Sequence, residues 1–403
     1  MDNPEKIVLA YSGGLDTSCV LRWLQEEFKA DVIAFIGDLG QPTDLAAAVA
    51  KAERLGARKV VVRDLRQRFL AEFAYPCLQA GALYQDRYPM ASSISRPLLA
   101  AEMLQVAAEE GADAVAHGCS GKGNDQLRFA LAAAAIAPDV TLMTPLIDWP
   151  MKSRDDQVEY ARDRGIDVPV TQGATYSYDE SLWGRSIGCG PIEDLGYALP
   201  AEIFTWTRSP REAPDDPRRL VIGFEEGLPV ALDGERLDPV MLTARLNELG
   251  GLHGVGRVEH IEDKTVGIKA REIYECPAAT ILHRAHRDLE ELNLDRATLE
   301  FKRTVEQRYA SLAYAGYWFS PLRQSLGAFV RDTQRHVEGQ VTVELYKGNC
   351  LIAARESKFA LYDYALSTYD SQDTFDHEAG RGFTQICALS DRVAARVRGS
   401  HGA

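Results

Sequence analysis

The stretch LAYSGGLDTSC, residues 9–19, decides how the rest of the chain is read. Gly13 and Gly14 stand between Ser12 and the hydroxyls of Thr17 and Ser18, directly behind the apolar run KIVLAY at 6–11. Glycines let backbone amides approach a ligand closely, hydroxyls add donors, and a helix starting near Asp16 presents its positive end to the same place. Those parts suit a polyphosphate. The same residues also make an ordinary strand-to-helix turn in which Ser or Asp caps the helix, and the S-G-G tripeptide alone does not separate the two readings. The segment is neither G-x-G-x-x-G nor G-x-x-x-x-G-K-[ST], so it is not the usual dinucleotide or Walker-type loop.

Outward from this loop, short apolar runs recur: DVIAFIG at 31–37, RKVVVRDL at 58–65, DAVAHG at 113–118 and VTLMTPL at 140–146. Continuous rather than alternating apolarity means that both faces are covered, as in a parallel sheet flanked by helices. The stretches between, including 16–28 and 42–55, space apolar residues three and four apart. The expected fold is therefore α/β, a βαβ series with the quoted loop after its first strand.

The order breaks near 165–218, where Gly, Pro, Asp and Ser become frequent, which marks a domain boundary or a long functional loop. After it come strand candidates (RRLVIGFEEGLPVAL, GRVEHIEDKTVGIKA, VTVELYKGNCLIAARE) and helix candidates (DPVMLTARLNELG and 296–316), a mixed α+β region. One last amphipathic helix is expected over 374–397, and the closing GSHGA is expected to fray. The expected domains are 1–168, nucleotide-binding; 169–365, mixed α+β; and 366–403, a helical arm for oligomerisation.

Length and composition agree with a chain of more than one domain: 403 residues, 45 Lys and Arg against 59 Asp and Glu, and a net charge of −14. That balance argues against a broad basic face for nucleic acid. No stretch is long and apolar enough to cross a bilayer, and MDNPEKIVLAYS lacks the regions of a signal peptide, so the expected location is the cytoplasm. The seven cysteines are scattered and never form C-x-x-C, and the eight histidines show no metal-ligand spacing. Reduced thiols and no protein-held transition metal are the expectation.

S-G-G-x-D-[ST]-[ST] behind a first strand resembles the PP-loop of the N-type ATP pyrophosphatases, which implies binding of the β and γ phosphates and adenylation chemistry. Two further stretches narrow the resemblance. HGCSGKGNDQLRF at 117–129 is a second glycine-rich turn between a strand and a helix, at the sheet edge where α/β folds bind ligands. YSYDESLWGRSI at 176–187 puts serines, acids and an arginine into the irregular segment. Together with DRYPMASSISRPLLA (86–100) and GVGRVEHIEDKTVGIKAREIYECP (254–277), these motifs, in this order, resemble the argininosuccinate synthase family over about the first 280 residues.

The resemblance implies a PP-loop domain followed by a synthetase domain. It also implies condensation of citrulline with aspartate, ATP as a substrate with Mg2+ bound to it, and a homotetramer. Residue by residue, Ala10, Tyr11, Ser12, Gly13, Gly14, Leu15, Asp16, Thr17 and Ser18 line the phosphates, with Asp16 near the magnesium shell or fixing the loop. Gly37 and Gly118 meet the nucleotide. Ser120, Asn124 and Asp125 match aspartate positions, with Asn124 also matching a citrulline contact and Asp16, Asn124 and Asp125 central to catalysis. Arg128 suits a carboxylate by its bidentate fork. Tyr88, Ser93, Ser177, Ser186, Glu262 and Tyr274 match the remaining citrulline positions, Glu262 for an ammonium.

Each residue also has a plain structural reading: Asp16 or Asn124 as a helix cap, Gly37 as a strand-end glycine, Arg128 in a surface ion pair, and the others as turn serines, half-buried tyrosines or a solvated glutamate. Lys122 is read as solvated, Trp183 as packing beneath its loop, and Cys119 as a buried thiol. Ala91, Ser92 and Ser95, Gly188-Cys189-Gly190, and Ala278-Ala279 depart from the family's pattern, the last two where glycines are usual. An added methyl there can reshape an acceptor pocket. A ligase for another ureido or amino substrate, a PP-loop enzyme acting on tRNA, and a nucleotide-binding regulator without catalysis are therefore the alternatives.

Overall fold

The computed structural model describes residues 3–42, 44–151, 153–167 and 176–399; the expected boundary at 168/169 and the closing residues 400–403 lie outside them. Five strands, β1 (Lys6–Ala10), β2 (Asp31–Asp38), β3 (Lys59–Asp64), β4 (Ala114–His117) and β5 (Thr141–Met143), form one parallel sheet in the order β3-β2-β1-β4-β5. Successive β1 residues point to opposite faces, and both faces are dry. Val8 joins Ile33, Phe35 and Val115 on one face, while Ile7 and Leu9 join Val32, Ala34 and Ala116 on the other.

Helices α1 (Leu15–Phe28) and α2 (Leu45–Arg54) cover the second face through Val20, Leu24, Ala48 and Ala52. Helices α3 (Ser95–Glu110) and α4 (Asp125–Ile136) cover the first through Leu98, Met103 and Phe129. Each fully buried Leu, Ile or Val contributes about 1.5–3 kcal/mol, so this double cover explains the continuous apolar runs. Helix α5 (Arg154–Asp163) starts at a capping box, in which the Ser153 hydroxyl accepts from Asp156 N and the Asp156 carboxylate accepts from Ser153 N.

Beyond it lie β6 (Ser177–Ser181), β7 (Gly184–Gly188), β8 (Arg218–Glu225), β9 (Leu228–Leu232), β10 (Glu235–Arg236), α6 (Pro239–Leu252), β11 (Arg257–Asp263) and β12 (Lys269–Glu275). Then follow α7 (Pro277–Asn293), α8 (Arg296–Ala315), α9 (Pro321–Thr333), β13 (Gly339–Tyr346) and β14 (Asn349–Glu356). The strands form two antiparallel sheets, β10-β9-β8-β13-β14 and β11-β12-β7-β6. Asp238, Asp295 and Ser320 cap α6, α8 and α9, each closing backbone amides for about 1 kcal/mol.

The stretch read as irregular at 176–187 is instead the β6–β7 hairpin, with Ser181 opposite Gly184. Its turn, Leu182-Trp183, has none of the usual turn chemistry; the strands form because Trp183 is fully buried and donates Nε1–H to the Pro89 carbonyl at 3.0 Å. Ala278 and Ala279 lie fully buried at the start of α7, in the same apolar cluster as Val8 and Leu345. Their methyls fill core, not an acceptor pocket.

Residues 1–359 form one compact unit and 360–403 a second. In the second, the single helix expected over 374–397 is two, α10 (His377–Cys387) and α11 (Leu389–Gly399), with Ala388 between them. Asp391 in the first turn of α11 favours a fresh N-terminus there. Phe383, Ile386, Leu389, Val393 and Val397 are all exposed.

Candidate active site

β1 pairs in parallel with both β2 and β4, so the chain leaves it in one direction and returns on the other side, and the two glycine-rich loops open at that switch point. Ala10 stands beside His117 in register, which starts the loops side by side. A Cβ on Gly118 would lie 2.8 Å from the Thr17 methyl; only glycine lets the loops meet this closely.

Hydroxyls organise the first loop. Ser18 Oγ donates to Gly14 O at 2.7 Å and lies 3.1 Å from Tyr11 OH, and Ser12 Oγ lies 3.1 Å from Thr17 Oγ1. Leu15, Thr17 and Ser18 face inward, Ser12 and Gly14 are exposed, and Asp16 is half-buried in the first turn of α1. The N-cap residue of α1 is Gly14, which has no side chain to cap it. The cap position thus carries no side chain of its own at the positive end of the helix, which suits an anion site. Gly13 has φ +78, and Lys51 Nζ, from α2, donates to its carbonyl at 3.1 Å. Gly37 is the next-to-last residue of β2, where a Cβ would run into the Leu99 side chain of α3, so packing of α3 already favours glycine there.

The second loop delivers Asn124, Asp125 and Arg128. Asn124 holds the N-cap position of α4, yet its side chain does not cap. Its Nδ2 donates to Tyr314 OH at 2.8 Å, and its Oδ1 accepts from Thr265 N at 2.9 Å. Asp125 bridges two guanidiniums, Arg128 Nη1 at 2.7 Å and Arg96 Nε at 2.9 Å. Burial opposes its charge, but Arg96 and Arg128 bring its pKa down to about 2. Arg96 also donates to Asp179, whose pKa is raised by burial and by nearby Asp125 despite that arginine.

Arg128 is 4% exposed, so the surface ion pair is excluded. Its Nε donates to the Tyr314 carbonyl at 2.8 Å, while Nη2 has no partner among the described residues. A buried, unpaired guanidinium nitrogen is costly, and a ligand carboxylate would satisfy it.

Opposite stands Glu262 on β11, 3% exposed. Its carboxylate accepts from Tyr274 OH at 2.5 Å and from Tyr314 OH, with His260 Nε2 3.5 Å away. Burial opposes ionisation, but these three groups hold its pKa below the usual value. Tyr88 stacks on Tyr274 with centroids 3.8 Å apart, and Tyr84 stacks on Tyr314 at 3.5 Å. Ser186 pairs with Tyr274 on one side and Asp179 on the other.

The structure thus joins Asn124, Asp125, Arg128, Tyr88, Ser186, Glu262 and Tyr274 into one constellation. Ser93, buried, and Ser177, exposed, make no side-chain hydrogen bond to it among the described residues; Ser120 and Lys122 are exposed on the second loop. Arg96, Asp179, Tyr84, Tyr314 and Lys51 were not singled out from the sequence. For Arg96 the signal was present, a lone cation in the apolar run ISRPLLA; for Tyr314 there was none, since an aromatic four residues after Ala310 on a helix reads as packing.

The fold and site define a HUP-type ATP-binding domain joined to a mixed α+β region that faces it with carboxylates and hydroxyls. Residues 6–167 match the family model described as arginosuccinate synthase N-terminal HUP domain, and 176–394 the model described as arginosuccinate synthase C-terminal domain. The chain is 49% identical to the argininosuccinate synthase of Rubrobacter xylanophilus over 98% of this chain and 96% of that one. It is 47% identical to that of Symbiobacterium thermophilum over 98% and 99%. The solved U34-tRNA thiolase NcsA of Methanococcus maripaludis is 21% identical over 41% of this chain and 60% of that one, with a TM-score of 0.25, and carries no argument. The chain belongs to the argininosuccinate synthase family.

Proposed function

We propose that the protein joins citrulline to aspartate at the expense of ATP, giving argininosuccinate, AMP and pyrophosphate. Family membership over nearly the whole chain supports this reaction and does not favour the divergent ligase, the tRNA-modifying enzyme or the non-catalytic regulator. A ureido carbon is resonance-stabilised and its oxygen leaves poorly, so an amine does not displace it directly. Attack of the ureido oxygen on the α-phosphate of ATP forms citrullyl-AMP and releases pyrophosphate. The aspartate amine then attacks the activated carbon, the C–N bond forms, and AMP leaves with the former ureido oxygen.

One observation carries the residue assignment: Tyr314 joins the two charges, its carbonyl accepting from Arg128 Nε and its hydroxyl donating to Glu262, while Arg128 Nη2 has no partner among the described residues. A cation and an anion so placed suit the carboxylate and ammonium of an amino acid. On this reading Ala10 to Ser18 hold the triphosphate, Gly37 and Gly118 meet the nucleotide, and Tyr88, Ser93, Ser177, Ser186 and Tyr274 complete the citrulline site. Ser120, Asn124 and Asp125 serve aspartate, Asp125 by fixing Arg96 and Arg128. The protein mainly aligns ligands and stabilises moving charge.

Magnesium would enter with ATP, with half-buried Asp16 as the carboxylate on the phosphate loop. The seven cysteines are free, which suits the cytoplasm. The division at 1–168, 169–365 and 366–403 and a homotetramer belong to the same proposal, the latter supported by the exposed apolar residues of α10 and α11.

Citrulline labelled with oxygen-18 in its ureido group tests the chemistry. Label recovered in the AMP phosphate is expected, with citrulline alone giving at most one pyrophosphate per site and sustained release requiring both amino acids. Unlabelled AMP, or release without citrulline, would sink the proposal.

A further inference from the structure

Tyr314 lies between two groups that the ligase reading assigns to the amino acids. Its hydroxyl donates to Glu262 and accepts from Asn124 Nδ2 at 2.8 Å. The direction of both bonds follows from their neighbours. Thr265 N–H can only donate, so the Asn124 atom facing it, 2.9 Å away, is Oδ1. A carboxylate only accepts, so the Tyr314 proton points to Glu262 and its oxygen takes a proton from Nδ2. The chain of donors runs one way, from Thr265 N–H to Asn124, and from Asn124 through Tyr314 to Glu262.

We infer that Tyr314 is a positioning residue for the acceptor site, fixing the Asn124 amide in one orientation and tying it to the Glu262 carboxylate so that both amino acids meet a preset pattern of donors and acceptors. This rests on the ligase reading above. Asn124 has two donors and two acceptor sites, of which one each is used, so it keeps one donor and one acceptor for ligands. The ring is fixed independently of the hydroxyl. It stacks on Tyr84 at 3.5 Å with an interplanar angle of 1°, the Arg128 guanidinium carbon lies 4.9 Å from its centroid, and Arg128 Nε holds its carbonyl. Gly316, φ +92, closes α8 against Arg128, where a Cβ would lie 2.8 Å from the arginine Cα. The end of α8 is thereby seated on α4, and only the hydroxyl reaches the ligand-facing groups.

Tyr314→Phe removes the hydroxyl and keeps the ring. Pyrophosphate release by the full chain is measured below the melting transition, with citrulline, aspartate and ATP varied in turn. Y314F is expected to raise the KM for citrulline about ten-fold and that for aspartate several-fold, with kcat within about three-fold and the ATP KM unchanged. Wild-type KM values for both amino acids in Y314F would overturn the inference, as would an equal rise for ATP. Tyr314→Leu, which also removes the ring, separates packing from hydrogen bonding: a loss in the Leu variant with none in the Phe variant makes Tyr314 merely structural. Absence of amino-acid-dependent release in the wild type would instead overturn the ligase reading itself.

Discussion

Lys51 holds the carbonyl of Gly13 at 3.1 Å, from a helix that touches the phosphate loop where Ala48 Cβ lies 3.0 Å from the place of a Gly13 Cβ. A carbonyl facing a polyphosphate would repel it. With Gly13 O committed to the ammonium, the loop's amides remain for the anion, and a positive charge stands behind them. Lys51→Met is expected to raise the ATP KM about ten-fold, the worth of one hydrogen bond to a charged group, with both amino-acid KM values unchanged. Lys51→Arg keeps the charge and should recover part of the loss. Steady-state kinetics with ATP varied at saturating amino acids checks this, and equal KM values in K51M and wild type would refute it.

Asp125 neutralises two arginines at once, Arg96 and Arg128, whose side chains are 15% and 5% exposed. Removing one partner of a buried pair strands the other charge: Arg128 loses its carboxylate partner, while Arg96 keeps Asp179. Asp125→Asn is expected to lower stability by about 3 kcal/mol. The sign with pH follows from the pKa of about 2: the contribution is full above the unfolded value near 3.9 and is lost as pH falls towards 2. Urea denaturation should give the same gap between D125N and wild type at pH 7 and pH 5, narrowing only below about pH 4.

Much of the first region was legible because a strand buried on both faces has no choice but continuous apolarity, as in Ile7, Val8 and Leu9. The loop after it was ambiguous in isolation: whether Ser12 or Asp16 caps a helix depends on backbone geometry, and only the folded chain places Gly14 at the cap. The β6–β7 hairpin was missed because Ser177, Asp179 and Glu180 carry no strand signal and the turn uses Leu and Trp; burial of Trp183 against Pro89 decides it across 94 positions. Tyr314 was illegible for a similar reason. Its hydroxyl partners lie 52 and 190 residues away, and nothing local distinguishes it from Tyr309, which packs in the core. Ala278 and Ala279 mislead in the other direction, since a departure from a family's glycines reads as a changed pocket until the core is seen around them.

Four buried histidines, His117, His253, His283 and His286, have pKa values lowered by burial and set the response to mild acid. Burial holds the pKa of His117, at the end of β4, down to about 4, and that of His283, in α7, to about 3. In the unfolded chain all four titrate near 6.5. Because the folded values are lower, the unfolded state binds protons first: stability is full above about pH 6.5 and is lost as pH falls towards 4, by ~1.4 kcal/mol per pH unit for each histidine. Denaturation at pH 7.5, 6 and 5 should show this slope, and His283→Gln should flatten it by about 1.4 kcal/mol per pH unit, the share of one histidine. A level stability from pH 7 to pH 5 would mean that these histidines take up protons equally in both states.

Cys189 follows β7 with φ 67 and ψ 171, a combination essentially reserved for glycine, and the next residue, Gly190, also has positive φ. A side chain held there costs about 1–3 kcal/mol. Glycine would relieve that strain while adding about 0.5–1 kcal/mol of entropy to the unfolded chain, so Cys189→Gly is expected to stabilise the protein by about 1 kcal/mol. The cysteine is exposed, so no buried packing is lost with it. Thermal melting of C189G and C189A against wild type checks the cause. The alanine keeps the Cβ and therefore the strain, and should melt with wild type while the glycine variant melts higher. An alanine variant as stable as the glycine one would place the cost in the thiol instead of the backbone.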